Sequence, residues 1–188
     1  MSFTGDWAVD NAIMYSYLEA VEFYMGDESR RLNNLKTKDC GRMLYGTTWR
    51  TFLKYDKETG EKLFLPPAKE NPKLGYTKVK CCNPILEEVF KEFQQLYFPD
   101  FEYTSVQLTK NFEIKRHIDS INVGESILCC FGEYMGGQTV VEKPEGDWIL
   151  DARIKPYKFN GSKYYHYVLP FEGGTRYSLV FFNKAKGR

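Results

Sequence analysis

The chain lacks an apolar run approaching the ~20 residues that a membrane-spanning helix needs, and it lacks repeats and low-complexity tracts. No membrane partner is expected. Its five cysteines, Cys40, Cys81, Cys82, Cys129 and Cys130, are odd in number, include two adjacent pairs and contain no CxxC spacing. That is a poor disulfide framework and a poor structural zinc site. The opening stretch MSFTGDWAVDNAIMYSYLEA carries acids where a secretory signal would carry bases. A reducing, intracellular setting, cytoplasmic or nuclear, is expected. A dominant charge is also missing, since 26 Lys and Arg face 25 Asp and Glu for a net charge of +1. Scarcest of all is histidine, with only His117 and His166.

What is present describes a soluble globular protein. The 188 residues are 16% aromatic and 27% charged, enough to bury the core of one domain and too few to make a second full domain a reasonable expectation. The charge is unevenly spread. From Arg30 to Lys80 thirteen basic residues face five acidic ones, a local +8 that leaves the remainder at −7. Such a stretch suits either a basic face for a polyanion or a solvated loop.

Spacing divides the chain near Asp100. Before it, apolar and aromatic residues recur at three- and four-residue intervals in DNAIMYSYLEAVEFYM, which predicts a helix from about Asp10 to Met25. A second helix is predicted from NPILEEVFKEFQQLYF, with Asn83 as N-cap, Pro84 at the first helical position, and Ile85, Val89, Phe93 and Leu96 or Tyr97 on its apolar stripe. Between them GTTWRTFLKYD reads as a strand, with Tyr45 and Trp49 as weak candidates for lining an entrance. After Asp100 come short segments rich in Val, Ile, Tyr, Phe and Thr, among them YTSVQLT, NFEIKRHI, GESILCCF, GGQTVVE, DWILDARI, KYYHYVLP and TRYSLVFF. Strands separated by turn signals every eight to twelve residues predict a sandwich or jelly roll. The fold class is therefore α+β, a jelly-roll core with N-terminal helices packed on one sheet. Residues 1–100 form an extension integral to the fold and residues 101–188 the core. Gly136 and Gly137 read as a hairpin turn.

On a strand, residues i and i+2 share a face, so His117 and Asp119 of EIKRHIDSINVG point together while Ile118 points away. His166, on KYYHYVLP, is the one other histidine available to join them. Two histidines and one carboxylate on one face of a metal leave positions open for other ligands, an arrangement suited to non-haem Fe(II). Ten residues past His166 comes Arg176, with Ser178 on the same face. An arginine beside a hydroxyl suits the grip of a carboxylate. Asn111 and Gln107, on the preceding strand, are candidates to hydrogen-bond a cosubstrate or substrate, and Asn111 is the one favoured.

The order HxD, then His, then Arg-x-Ser resembles the 2-oxoglutarate- and Fe(II)-dependent dioxygenases of the double-stranded β-helix fold, over roughly residues 103–183. Within that superfamily HIDSINVGESILCCFGEYMGGQTVVE looks most like the TET and J-binding-protein nucleobase hydroxylases, which follow the HxD with an Asn-containing turn, a strand and a Gly-Gly turn. The extra zinc-binding cysteine region of animal TET proteins is missing, so any kinship is to a minimal catalytic core. Prolyl hydroxylases share the Gly-Gly turn but commonly carry lysine where this chain has Arg176. The resemblance implies Fe(II) on His117, Asp119 and His166. It also implies 2-oxoglutarate held through Arg176 and Ser178, O2 as co-reactant, and ascorbate as a stimulant. The implied reaction is C–H hydroxylation, with the 5-methyl group of 5-methylcytosine or thymine in DNA as the favoured substrate. Hydroxylation of a small molecule or protein side chain stays open, as does a non-catalytic binding domain on the same fold.

Overall fold

The computed structural model describes residues 2–20, 41–49, 53–55, 62–64, 76–78, 84–120 and 122–184. The charged side chains of the basic stretch from Arg30 to Lys80 lie outside the described ones, as do Asn83 and the side chain of Trp49.

Helix α1 spans Trp7–Glu19 and starts three residues before the expected Asp10, because Asp6 supplies an N-cap that the apolar periodicity does not register. The Asp6 side chain accepts from the amides of Ala8 at 2.9 Å and Val9 at 3.1 Å, satisfying donors that a helix start leaves unpaired. Asp10, Met14 and Leu18 form its buried stripe. Strands β1 (Gly41–Trp49), β2 (Leu53–Tyr55), β3 (Lys62–Phe64) and β4 (Tyr76–Lys78) follow, then α2 (Pro84–Tyr97) with Pro84 at its first position. The buried side of α2 is Leu86, Val89, Phe90 and Phe93, while Ile85 is 68% exposed and Leu96 45%. The expected stripe is thus rotated. Burying Phe90 edge-on against Tyr45, with ring centroids 5.0 Å apart, removes more apolar surface than Ile85 would. Tyr45 accordingly packs in the core and lines no entrance.

The remaining strands are β5 (Ser105–Lys110), β6 (Asn122–Phe131), β7 (Met135–Gly136), β8 (Thr139–Val141), β9 (Trp148–Leu150), β10 (Tyr157–Phe159), β11 (His166–Val168), β12 (Phe171–Glu172) and β13 (Tyr177–Lys184). A six-stranded antiparallel sheet runs β10-β6-β13-β5-β1-β4, and a three-stranded sheet runs β11-β8-β9. The architecture is α+β and mostly sheet. Strand alternation assigns the main sheet two different faces. Ile127, Cys129 and Phe131 of β6, Val106 and Leu108 of β5, and Leu179 and Phe181 of β13 pack with α1 and α2 in one core. Leu128 and Cys130 of β6 face the other way, into a second cluster with Tyr134, Val141, Leu150 and Phe159. Gln107 and Thr109 of β5 and Ser178 of β13 are buried on that second face. The helix side is apolar; the inner side carries polar groups.

Gly136 and Gly137 do not make a hairpin. Residues 135–141 run antiparallel to 166–172 in unbroken register, from Glu172 opposite Met135 through Val168 opposite Thr139 to His166 opposite Val141. The Gly137 amide donates to Pro170 O at 3.0 Å and the Leu169 amide to Gln138 O at 2.9 Å across the middle. Both glycines take positive φ, 76° and 73°, and bend this ladder between its two halves.

Candidate metal centre and anion site

Residues 111–118 are expected to be a strand, and the structure differs. They form no ladder. Instead the Val168 amide donates to Ile114 O at 3.0 Å, and His117 and His166 exchange backbone hydrogen bonds of 3.0 Å as an isolated bridge. This bridge sets the two imidazoles side by side, with ring centroids 4.2 Å apart. Two residues on, the Asp119 amide donates to Gly161 O at 2.9 Å, which turns its carboxylate toward both rings. Oδ1 lies 3.4 Å from His117 Nε2 and Oδ2 lies 3.6 Å from His166 Nε2. One donor atom from each of the three residues falls within 4.8 Å of the others.

The ring tautomers follow from the backbone. His117 Nδ1 faces Lys115 O at 2.8 Å and His166 Nδ1 faces Tyr164 O at 3.1 Å. Because a carbonyl only accepts, both Nδ1 atoms carry the hydrogen and both Nε2 atoms present lone pairs in the neutral rings. The Asp119 carboxylate, which accepts from His117 when that ring is protonated, raises the pKa of His117, while burial lowers that of His166. Asn122 Nδ2 donates to Asp119 Oδ2 at 3.1 Å and steadies the carboxylate. Gly161 completes the floor: a Cβ there would lie 3.0 Å from Asp119 Oδ2 and 3.1 Å from His166 Cε1. Two imidazole nitrogens and a carboxylate oxygen, oriented by second partners, fit a divalent first-row transition metal.

Arg176 is 1% exposed. Its Nε donates to Gly137 O at 3.1 Å and its Nη2 to Cys130 Sγ at 3.3 Å, while the guanidinium carbon lies 5.7 Å from the Tyr134 ring and 5.6 Å from the Phe171 ring. Every one of these partners is neutral, and Nη1 is buried with no hydrogen-bond partner. The Asp151 carboxylate interacts with the guanidinium electrostatically but leaves Nη1 without a hydrogen bond, so a further anion is favoured there, which fits a dicarboxylate reaching between the sheets. Gly137 is required here, because a Cβ would sit 3.0 Å from Arg176 Cδ and Nε. Ser178 is buried on the same inner face and shares a 2.6 Å hydrogen bond with Thr109 Oγ1.

Asn111 and Gln107 both engage backbone groups of neighbouring strands. Asn111 pairs with the backbone of Arg176: its amide donates to Arg176 O at 2.8 Å, and its Oδ1 accepts from the Arg176 amide at 2.8 Å. Gln107 Nε2 donates to Met43 O at 2.7 Å and Leu108 O at 3.1 Å. Sequence reasoning assigned no site role to Cys130, Tyr134 or Gly161. Asn122 was visible only as part of the turn after the HxD.

No family model and no curated protein matches the chain. Among solved structures it is similar to NgTET1 in complex with 5mC DNA, at 15% identity over 95% of this chain and 69% of that one, with TM-score 0.49. It is similar to an oxidoreductase of the 2OG-Fe(II) oxygenase family from Burkholderia pseudomallei, at 14% identity over 97% and 91%, with TM-score 0.48. A third is a Pseudomonas putida prolyl-4-hydroxylase, at 15% identity over 97% and 88%, with TM-score 0.48. Among the described residues no helix is long and apolar enough to cross a membrane.

Proposed function

We propose that this chain is an Fe(II)- and 2-oxoglutarate-dependent dioxygenase that hydroxylates a C–H bond, built on a double-stranded β-helix core over residues 101–188 with residues 1–100 as an integral extension. The observation that carries the reading is the meeting of His117, Asp119 and His166 within 4.8 Å, with the orphaned Nη1 of a buried Arg176 in the same inter-sheet layer. Fe(II) bound there, with 2-oxoglutarate and O2, supplies the oxidation that converts C–H to C–OH while 2-oxoglutarate becomes succinate and CO2. The protein's own part is positional. His117 and His166 offer Nε2 because their Nδ1 hydrogens are committed to Lys115 O and Tyr164 O. Asp119 offers a carboxylate held by Asn122. Arg176 takes the far carboxylate of 2-oxoglutarate, with Ser178 beside it and the Tyr134 and Phe171 rings flanking the guanidinium.

For the substrate we propose the 5-methyl group of 5-methylcytosine or thymine in DNA. The support is the resemblance of the segment after the HxD to nucleobase hydroxylases and the basic character of residues 30–80. A base stacked in a duplex cannot reach a site between two sheets, so it must be flipped out, and binding must weaken steeply with salt. The test is incubation with methylated and unmethylated DNA, 2-oxoglutarate, Fe(II) and ascorbate, followed by nucleoside mass spectrometry. Hydroxymethyl products that vanish in His166→Ala are expected. Succinate formed with amino acids or metabolites, and an unaltered nucleoside profile, would overturn the substrate; no succinate under any substrate screen would overturn the enzyme.

A further inference from the structure

Among the described residues Asn111 is the only non-glycine with positive φ, at 48°. Such a backbone is tolerated by asparagine but costs an L-residue relative to glycine. A glycine would serve the turn without strain, so the side chain must supply something that glycine does not. β5 and β13 are paired up to Lys110 opposite Tyr177, and one position further the chain leaves the strand through Asn111. The Asn111 amide still reaches Arg176 O, and its side-chain Oδ1 accepts from the Arg176 amide as a backbone carbonyl would in a ladder, each bond 2.8 Å. The backbone of Arg176 is thereby held from both sides at the point where its side chain enters the inter-sheet space.

We infer that Asn111 is a positioning residue for Arg176, fixing the guanidinium where it receives an anionic ligand, and not itself a ligand of that anion. The inference rests on the proposed role of Arg176 as the anion partner. Strain retained at a residue that holds another one in place is a pattern expected beside binding sites. The guanidinium's remaining anchors are weak neutral acceptors, Gly137 O and Cys130 Sγ, so its aim depends heavily on where the backbone sits.

Asn111→Gly is the informative variant, because glycine adopts this backbone conformation freely and lacks the Oδ1 acceptor. Two readouts are taken on the full chain: exchange of the Arg176 amide hydrogen in the free protein, and the Kd for 2-oxoglutarate with Fe(II) bound under anaerobic conditions. The expected result is faster Arg176 amide exchange together with about three- to tenfold weaker 2-oxoglutarate binding, the range of one lost hydrogen bond, and unchanged affinity for Fe(II). Weaker binding with unchanged amide exchange would make Asn111 a direct contact and overturn the positioning role. Faster exchange with unchanged Kd would reduce it to a structural turn and overturn the inference equally. If the wild-type protein binds no 2-oxoglutarate, the parent reading of Arg176 falls and this one with it; wild-type binding that Asn111→Gly leaves intact sinks only this one.

Discussion

At the scale of single residues, the most informative side chain is one that does not stabilise the fold. Arg176 is fully buried, donates hydrogen bonds only to neutral acceptors with the Asp151 carboxylate within electrostatic reach, and leaves Nη1 without a hydrogen bond. Replacing such a cation by an apolar side chain of similar length is commonly neutral or stabilising, because the desolvation penalty disappears with the charge. Arg176→Met is therefore expected to keep Tm unchanged or raise it by a few degrees. The same change removes the partner of a desolvated carboxylate, about 2 to 4 kcal/mol, so 2-oxoglutarate binding is expected to weaken roughly 30- to 1,000-fold. Thermal melts and anaerobic titration measure the two effects separately. A large fall in Tm would mean that Arg176 is a structural residue, and intact 2-oxoglutarate affinity would remove it from the site.

At the scale of elements, the two helices are joined through one buried carboxylate. Asp10 of α1 is 0% exposed. It accepts from the Thr4 amide at 2.8 Å and hydroxyl at 2.9 Å, from the Gly5 amide at 2.8 Å, and from the Tyr97 hydroxyl of α2 at 2.6 Å. Burial alone would raise its pKa, but the Tyr97 hydroxyl and the Thr4 and Gly5 amides outweigh it and the pKa is lowered. The stabilisation is therefore fully present above the ordinary carboxylate range near pH 4, and it is lost as pH falls through the depressed folded value. Tyr97→Phe keeps the ring against Trp7 and Phe93 and removes one charge-assisted hydrogen bond, worth about 1.5 to 3 kcal/mol. The lower end is expected because Tyr97 is half-buried. Urea melts at pH 6 and pH 3 should show the variant destabilised at pH 6 and the gap narrowing at pH 3; an equal gap at both would exclude Asp10 as the acid-sensitive group. The elements themselves were legible where local signals suffice, as in α2 with Pro84 at its start. They were misread where tertiary partners decide: residues 111–118 have the composition of a strand but only one bridge, and Gly136–Gly137 bends a ladder whose register is set by residues 166–172. The site residues were visible because the chain has two histidines. The groups that orient them, Gly161, Lys115 O and Tyr164 O, are backbone features with no sequence signature.

At the scale of the whole molecule, the main sheet separates two kinds of interior. Its helix side is a closed aromatic core, with Phe93 in edge contact with Phe131 at 5.7 Å and Trp7 against Phe131 at 6.2 Å. Its inner side, toward the three-stranded sheet, holds Arg176, Ser178, Thr109 and Gln107 and meets His166 of β11 and the His117–Asp119 segment across the gap. The proposed ligands thus touch both sheets. A metal held by His166 and a dicarboxylate held by Arg176 would tie β11 to the start of β13. Binding to the native state alone stabilises by mass action, about 2.7 kcal/mol at one hundred times Kd, or roughly 5 to 10 °C in Tm for a chain of this length. Mn(II) and 2-oxoglutarate together are expected to raise Tm by more than the sum of their separate effects. A chelator should reverse the metal-dependent part. Arg176→Met should retain the response to Mn(II) and lose that to 2-oxoglutarate, and His166→Ala should lose the metal response. Strictly additive shifts would mean that the two ligands bind independently, and identical shifts in the wild type and both variants would place the binding outside this inter-sheet layer.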